Sequence, residues 1–231
     1  MGGLKVAIVG AGRMGALLAG SIPANCRKVI ISRRKGRAVS LADEVGGLAA
    51  DQLSAVRGAQ VIFLAVPGTA AIQVVQDMLP HVDPGTLVVN LATDLATAEL
   101  AAAYPAVTFA AAKVIGHARE MGLGTPGVVV IDHVDGEAEN HLRYLLEGLG
   151  PIVREREEKV STVHAAITDA MARAEAELVA KLSELGFSAD MARAAIAATG
   201  PGVLHGLTNG DGGLLPQLPR TALQAQASVS H

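Results

Sequence analysis

Short apolar runs separated by glycine, proline and polar turns make up the chain as far as Pro151. Residues 5–9 (Lys-Val-Ala-Ile-Val) are almost wholly apolar over strand length, which is the pattern of a parallel strand buried on both faces. The same reasoning predicts strands over 29–32, 61–66 (Val-Ile-Phe-Leu-Ala-Val, ended by Pro67), 87–90, 108–114 and 128–132, with a minor one at 49–50. Helical patterning is predicted over 13–19, around 41–45, and over 70–78 and 95–104. Strands and helices alternating at these lengths predict an α/β fold, a doubly wound parallel sheet of the Rossmann type.

The pattern changes beyond Pro151. The charged run Arg154–Lys159 (Arg-Glu-Arg-Glu-Glu-Lys) reads as the end of a strand or a linker. Val160, Val163, Ile167, Met171, Leu178, Leu182 and Leu185 then recur at spacings of three, four and seven, predicting one long helix over 160–185. Gly186 stands where it should stop, and Ser188 is a good N-cap for a second helix over 189–199. Gly200-Pro201-Gly202 is expected to break or bend that helix, with a brief continuation over 203–207. Two helices enclose no core of their own, so a homodimer formed through them is the economical expectation. The predicted organisation is a dinucleotide-binding domain over 1–152, a small all-α dimerisation and substrate region over 153–208, and a loosely ordered tail over 209–231.

Composition narrows the field. Of 231 residues, 50% are hydrophobic and 18% charged, with a net charge of −3 and no basic block suited to nucleic acid or a membrane surface. Aromatics are 2% and Trp is absent, so the core must be aliphatic. Cys26 is the sole cysteine, which excludes an internal disulfide, and no His, Cys, Asp or Glu set has metal-ligand spacing, so no metal is expected. No apolar run approaches the roughly 18 residues of a membrane span. The start lacks the order of a signal peptide, and Val6 stands where a myristoylation signal would place Ser or Thr, so a cytoplasmic location is expected.

The chemistry begins in the loop after the first strand. Gly10-Ala11-Gly12-Arg13-Met14-Gly15 fits G-x-G-x-x-G, placed between an apolar strand and a small-residue helix. Gly10 permits the tight turn, Gly12 lets the backbone approach a pyrophosphate, and Gly15 lets helix and strand pack closely. Amides at the helix start then face the phosphates. Twenty residues after Gly12, where an NAD site places an acid, stands Ser32, followed by Arg33, Arg34 and Lys35. A hydroxyl and two guanidiniums favour a 2′-phosphate, so the expected cofactor is NADP, with Arg13 a further phosphate contact. Val66, Pro67 and Thr93 follow later strands and are expected beside the ribose and nicotinamide.

Val-Gly-Ala-Gly-Arg-Met-Gly (9–15), Ser-Arg-Arg (32–34) and Phe-Leu-Ala-Val-Pro (63–67) resemble pyrroline-5-carboxylate reductases, and equally the deazaflavin-dependent NADP reductases, within the 6-phosphogluconate dehydrogenase-like Rossmann group. The likeness runs over residues 4 to about 115. Farther on, Leu-Gly-Phe-Ser-Ala-Asp-Met-Ala (185–192) is similar to the helix start of the reductases' dimerisation domain. The resemblance implies dimers formed through interlocked helices that complete a substrate pocket. The family's Ser-Gly-Ser-Gly-Pro-Ala carboxylate cradle is replaced by residues 160–168 (Val-Ser-Thr-Val-His-Ala-Ala-Ile-Thr), and its Met-Pro-Asn is absent from 110–117. The latter segment is closer to the deazaflavin group's strand end, where the resemblance implies a Lys or His facing the nicotinamide pocket.

Hydride transfer to C=N or C=O also requires a group that neutralises the nitrogen or oxygen. Lys113 and His117, at a core strand's end, are the first candidates. His164 and Thr168, one turn apart on the long helix, are the second pair. The function expected is NADPH-dependent reduction of a small imine or carbonyl, with a deazaflavin acceptor, or a catalytically silent NADP-binding sensor, as the alternatives.

Overall fold

The computed structural model describes residues 3–209. The chain divides into two compact units, Met1–Ala165 and Ala166–His231. The predicted tail over 209–231 lies almost wholly outside the described residues.

The first unit is built on strands β1 (Lys5–Val9), β2 (Arg27–Ile31), β3 (Leu48–Ala50), β4 (Val61–Leu64), β5 (Leu87–Asn90), β6 (Thr108–Ile115), β7 (Val128–Asp132) and β8 (Ile152–Arg154). Helices α1 (Arg13–Ser21), α2 (Lys35–Val45), α3 (Gly68–Met78), α4 (Thr97–Ala103), α5 (Ala118–Gly122) and α6 (Gly136–Leu146) connect them. The strands form one sheet in the order β3-β2-β1-β4-β5-β6-β7-β8. Chain order reverses direction at β1, which lies between β2 and β4, and ligands of open parallel sheets bind in the crevice beyond such a reversal.

Alternation within each strand feeds two cores. Val6, Ile8, Ile30, Phe63 and Val89 meet α1 and α6 on one face, while Ala7, Val9, Ile62, Leu64 and Val88 meet α3 and α4 on the other. Burial on both faces explains why these strands carry no polar alternation.

The sheet departs from the all-parallel expectation at β7, which runs antiparallel to β6, with β8 parallel to β7. The connection from β6 to β7 holds only the five-residue α5, about 7.5 Å of helix. That is too short to carry the chain back along the eight-residue β6, so the return is a strand. The register has a further effect. Asn90, the last residue of β5, lies opposite Ala111, so Ala112–Ile115 run past the end of β5 with β7 as their partner.

Helix α7 (Glu158–Glu184) starts in the first unit and continues into the second, which also holds α8 (Ala189–Asn209). Ser188 Oγ accepts the Met191 amide at 3.3 Å, the predicted N-cap. Glu175 and Arg193 bridge the two helices at 3.3 Å. The expected break at Gly200-Pro201-Gly202 is absent, because α8 is continuous through Pro201. Among the described residues of this unit only Ala192 is buried, whereas Ile167, Met171, Leu178, Leu185, Met191 and Leu207 are exposed.

Candidate functional site

The loop between β1 and α1 lies at the reversal point. Gly10 adopts φ +119°, and a Cβ there would lie 2.3 Å from the Ala65 carbonyl oxygen at the end of β4. A Cβ on Gly15 would lie 1.9 Å from the Gly10 oxygen. These two glycines are therefore required by the fold itself. Gly12 differs. It has ordinary backbone angles (φ −83°, ψ −173°), and a Cβ on it would meet nothing within 4 Å. The protein does not need glycine at this position; a phosphate brought against the backbone would.

Gly12 is also the N-cap of α1, with no side-chain cap and no acid in the first turn. Its end of the nine-residue helix thus presents amides and the positive end of the dipole to an anion. Arg13 is exposed at the first helical position, and Met14 is half-buried against the core.

The end of β2 is arranged likewise. Ser32 is half-buried; its amide donates to Ala50 O at 3.0 Å, and its Oγ accepts the Arg34 amide at 3.2 Å. The hydroxyl proton is left to donate outward. Arg34 caps α2 without a side-chain bond, and that helix too has no acid in its first turn. Arg33, Arg34, Lys35 and Arg37 are all exposed, and among the described residues none pairs with a carboxylate. Open backbone at Gly12, a helix start with no side-chain cap and a cluster of unpaired cations beside Ser32 together suit an anionic ligand.

On the other side of the crevice Val66 is half-buried and Pro67 caps α3. The Gly68 amide donates to Asp94 Oδ1 at 3.0 Å, which joins this turn to the loop after β5, where Thr93 is exposed.

The catalytic candidates are scattered. Lys113 is not at the mouth of a cleft: it is 2% exposed, and its ammonium donates to Ala92 O and Leu95 O and pairs with Glu157 at 3.2 Å. All three of its protons are engaged, so the expectation of Lys113 as a proton donor to substrate is corrected. The cause is the overrun of β6. The loop 91–97 folds over the protruding strand and covers a residue that strand-end reasoning places in the open. Burial pushes the Lys113 ammonium below its usual pKa, and the charge of Glu157 opposes that shift.

His117 is exposed at the N-cap of α5, and Thr168 is exposed on α7 in the second unit. His164 is half-buried, and its Nε2 is shielded from solvent with no hydrogen-bond partner in the protein. Such an orphan is uncommon in a folded chain.

Sequence reasoning missed a buried polar network beside Lys113. Glu157 is 5% exposed; its carboxylate accepts from the Thr97 amide at 2.6 Å and the Thr97 hydroxyl at 2.8 Å. The wholly buried Asn90 donates to Leu95 O at 2.9 Å and to Thr97 Oγ1 at 3.1 Å, and accepts the Ala92 amide at 3.0 Å. Asp132 Oδ2 accepts the Glu157 amide at 3.0 Å. His133, with the left-handed φ of 57°, has its Nε2 3.5 Å from Glu157 Oε1. A lysine inside an apolar strand was the available signal, since a buried ammonium requires a buried carboxylate. Glu157 itself is indistinguishable within its charged run.

Residues 5–94 match the family described as NADP oxidoreductase, coenzyme F420-dependent. That stretch runs from β1 into the loop after β5 and includes the glycine loop and the end of β2. Curated proteins give no match. Solved structures give matches of fold. A pyrroline-5-carboxylate reductase from Coxiella burnetii superposes with a TM-score of 0.68 at 16% identity, over 96% of this chain and 84% of the other. An imine reductase variant from Myxococcus stipitatus in complex with NAD+ gives 0.66 at 19% identity, over 90% and 75%. A pyrroline carboxylate reductase from Plasmodium falciparum with NADP bound gives 0.65 at 14% identity, over 98% and 84%. At these identities the likeness is one of fold, and it runs along most of the chain.

Among the described residues no helix is long and apolar enough to cross a membrane, and no group of three or more His, Cys, Asp or Glu is placed to hold a metal.

Proposed function

We propose that this chain is an NADPH-dependent oxidoreductase that reduces a small imine or carbonyl compound. The observation that carries the cofactor choice is the end of β2, where the side chains of Arg33 and Arg34 stand without a carboxylate partner beside the Ser32 hydroxyl, at a helix start with no side-chain cap. An acid there would repel a 2′-phosphate; guanidiniums attract it and stack on adenine.

Bound in this crevice, the reduced nicotinamide supplies the hydride. The chain's own residues bind and orient. Gly12, Arg13 and the first amides of α1 hold the pyrophosphate, Gly10 and Gly15 shape the loop, and Val66, Pro67 and Thr93 flank the nicotinamide end. His164 is the side chain proposed to hold or donate the proton at the substrate's nitrogen or oxygen, because its shielded Nε2 has no protein partner. His117 and Thr168 are the remaining substrate-facing candidates. The exposed apolar side chains of α7 and α8 support a homodimer formed through these helices. The division of the chain into a dinucleotide-binding domain followed by this dimerisation region is part of the same reading.

The family match favours a second reading of the acceptor, in which the hydride passes to or from a deazaflavin. The deciding experiment is titration with NADPH and NADH, followed by NADPH oxidation with cyclic imines, keto acids and a deazaflavin. Tighter binding of NADPH and turnover with one acceptor class is the expected result. NADH binding as well or better refutes the cofactor choice. Tight NADPH binding with every acceptor failing leaves a sensor in place of an enzyme.

A further inference from the structure

We propose that Lys113 and Glu157 are positioning residues, a buried ion pair that fixes the 91–97 loop and through it the nicotinamide end of the crevice. This inference rests on the cofactor reading above.

The pair joins three segments. Lys113, on the overrun of β6, holds the loop from below through Ala92 O and Leu95 O. Glu157, just before α7, holds its far end through the amide and hydroxyl of Thr97. Asp94, on the same loop, caps α3 at Gly68 and ties in the turn after β4. The pair is nearly dry, with side-chain exposures of 2% and 3%. The partly exposed His133 reaches Glu157 Oε1 and Asp132 Oδ2 at 3.5 and 3.6 Å from one side. Stability alone does not account for this arrangement, because a buried ion pair gains little over well-packed apolar residues once desolvation is counted. What the pair supplies is direction: two carbonyls, an amide and a hydroxyl of one short loop are all held by it, and the next carboxylate along that loop is committed to a neighbouring turn. A loop so held keeps Thr93 in one place against a bound ring.

The test is the double variant Lys113→Met with Glu157→Gln, which removes both charges and the two lysine bonds while a side-chain carbonyl at position 157 still accepts from Thr97. Thr97→Val, which deletes one bond to Glu157, carries the same test if the double variant does not fold. Three readouts are taken. Amide hydrogen exchange over 91–97 needs no cofactor and should accelerate about tenfold or more, with the core strands unchanged. The affinity for 2′,5′-ADP, which reports only the adenine end, should stay within about twofold. The emission enhancement of bound NADPH should fall, and kcat should drop about tenfold at unchanged KM, measured well below the variant's own melting midpoint. Unchanged exchange over 91–97 overturns the inference. So does a loosened loop with wild-type emission and turnover, which makes the pair structural only. Wild-type protein that binds neither 2′,5′-ADP nor NADPH overturns the cofactor reading, and this inference with it.

Discussion

The three glycines of one short loop should separate cleanly under substitution by alanine. Gly10→Ala imposes a side chain at φ +119° and sets its Cβ 2.3 Å from a backbone oxygen. Backbone strain of about 1–3 kcal/mol adds to a steric cost of about 1–3 kcal/mol, so a loss of about 2–6 kcal/mol is expected. Gly15→Ala has a permitted φ but sets its Cβ 1.9 Å from the Gly10 oxygen, a clash that only backbone movement relieves. Its loss should lie in the same range or just below. Gly12→Ala meets nothing within 4 Å and keeps ordinary angles. The reduced freedom of the unfolded chain stabilises it by about 0.4–1 kcal/mol. The poorer N-cap offsets a similar amount, since alanine is disfavoured there by about 0.5–2 kcal/mol against the best caps and glycine by only a few tenths. The net change should lie within about 1 kcal/mol. At about 2–4 °C per kcal/mol for a chain of this size, Gly12→Ala should melt within about 4 °C of wild type, while Gly10→Ala falls by about 4 °C to more than 20 °C. Binding should invert that order for the folded variants. The methyl added at position 12 occupies the approach of the pyrophosphate to the helix amides, so NADPH affinity measured by nicotinamide fluorescence should drop about tenfold or more. A Gly12→Ala protein that melts like Gly10→Ala, or that binds NADPH as tightly as wild type, refutes the assignment of that open backbone to a phosphate.

Other outcomes follow from the same geometry. Arg33→Ala with Arg34→Ala should weaken NADPH about a hundredfold, at about 1.5 kcal/mol for each exposed charge-assisted contact, weaken NADH far less, through lost adenine stacking alone, and leave the melting midpoint unchanged; paired titrations check it. Glu139 receives Arg143 at 2.7 Å and Arg154 at 2.7 Å, and the Arg143 hydrogen bond in particular holds its carboxyl below the usual 4.5. A depressed carboxyl contributes stability above its unfolded value, lost as pH falls through the folded one. Wild type should therefore melt above Glu139→Gln at neutral pH, with the gap closing in scans taken below pH 4.5. Leu178→Glu should convert a dimer into a monomer by light scattering; a wild type already monomeric at high concentration refutes the dimer.

The parallel sheet was legible because buried strands leave an unmistakable mark. Lys5–Val9, Leu87–Asn90 and Val128–Asp132 match their predicted bounds residue for residue. What escaped depends on geometry between strands. The reversal of β7 turns on how far a five-residue helix reaches, and the overrun of β6 on register, which a single strand's sequence does not encode. The fate of Lys113 follows from both. Helix α6 went unpredicted because its polar first turns hide a narrow apolar stripe of Leu142, Leu145 and Leu146. The continuity of α8 through Pro201 shows the limit of a local rule, since the lost bond falls on one turn of a 21-residue helix. The glycine loop and the cations after β2 were readable for the opposite reason: such residues stand out against an aliphatic background, and it is their proposed ligand, not the core, that accounts for Gly12, Arg33 and Arg34.

The second unit hides a single alanine among its described residues. Helices with so little interior have no melting transition to call their own, and their order is lent by whatever surface lies against them. If that surface is another copy of the chain, durability becomes a matter of mass action: the melting midpoint climbs with protein concentration, and dilution alone hands these helices to proteases.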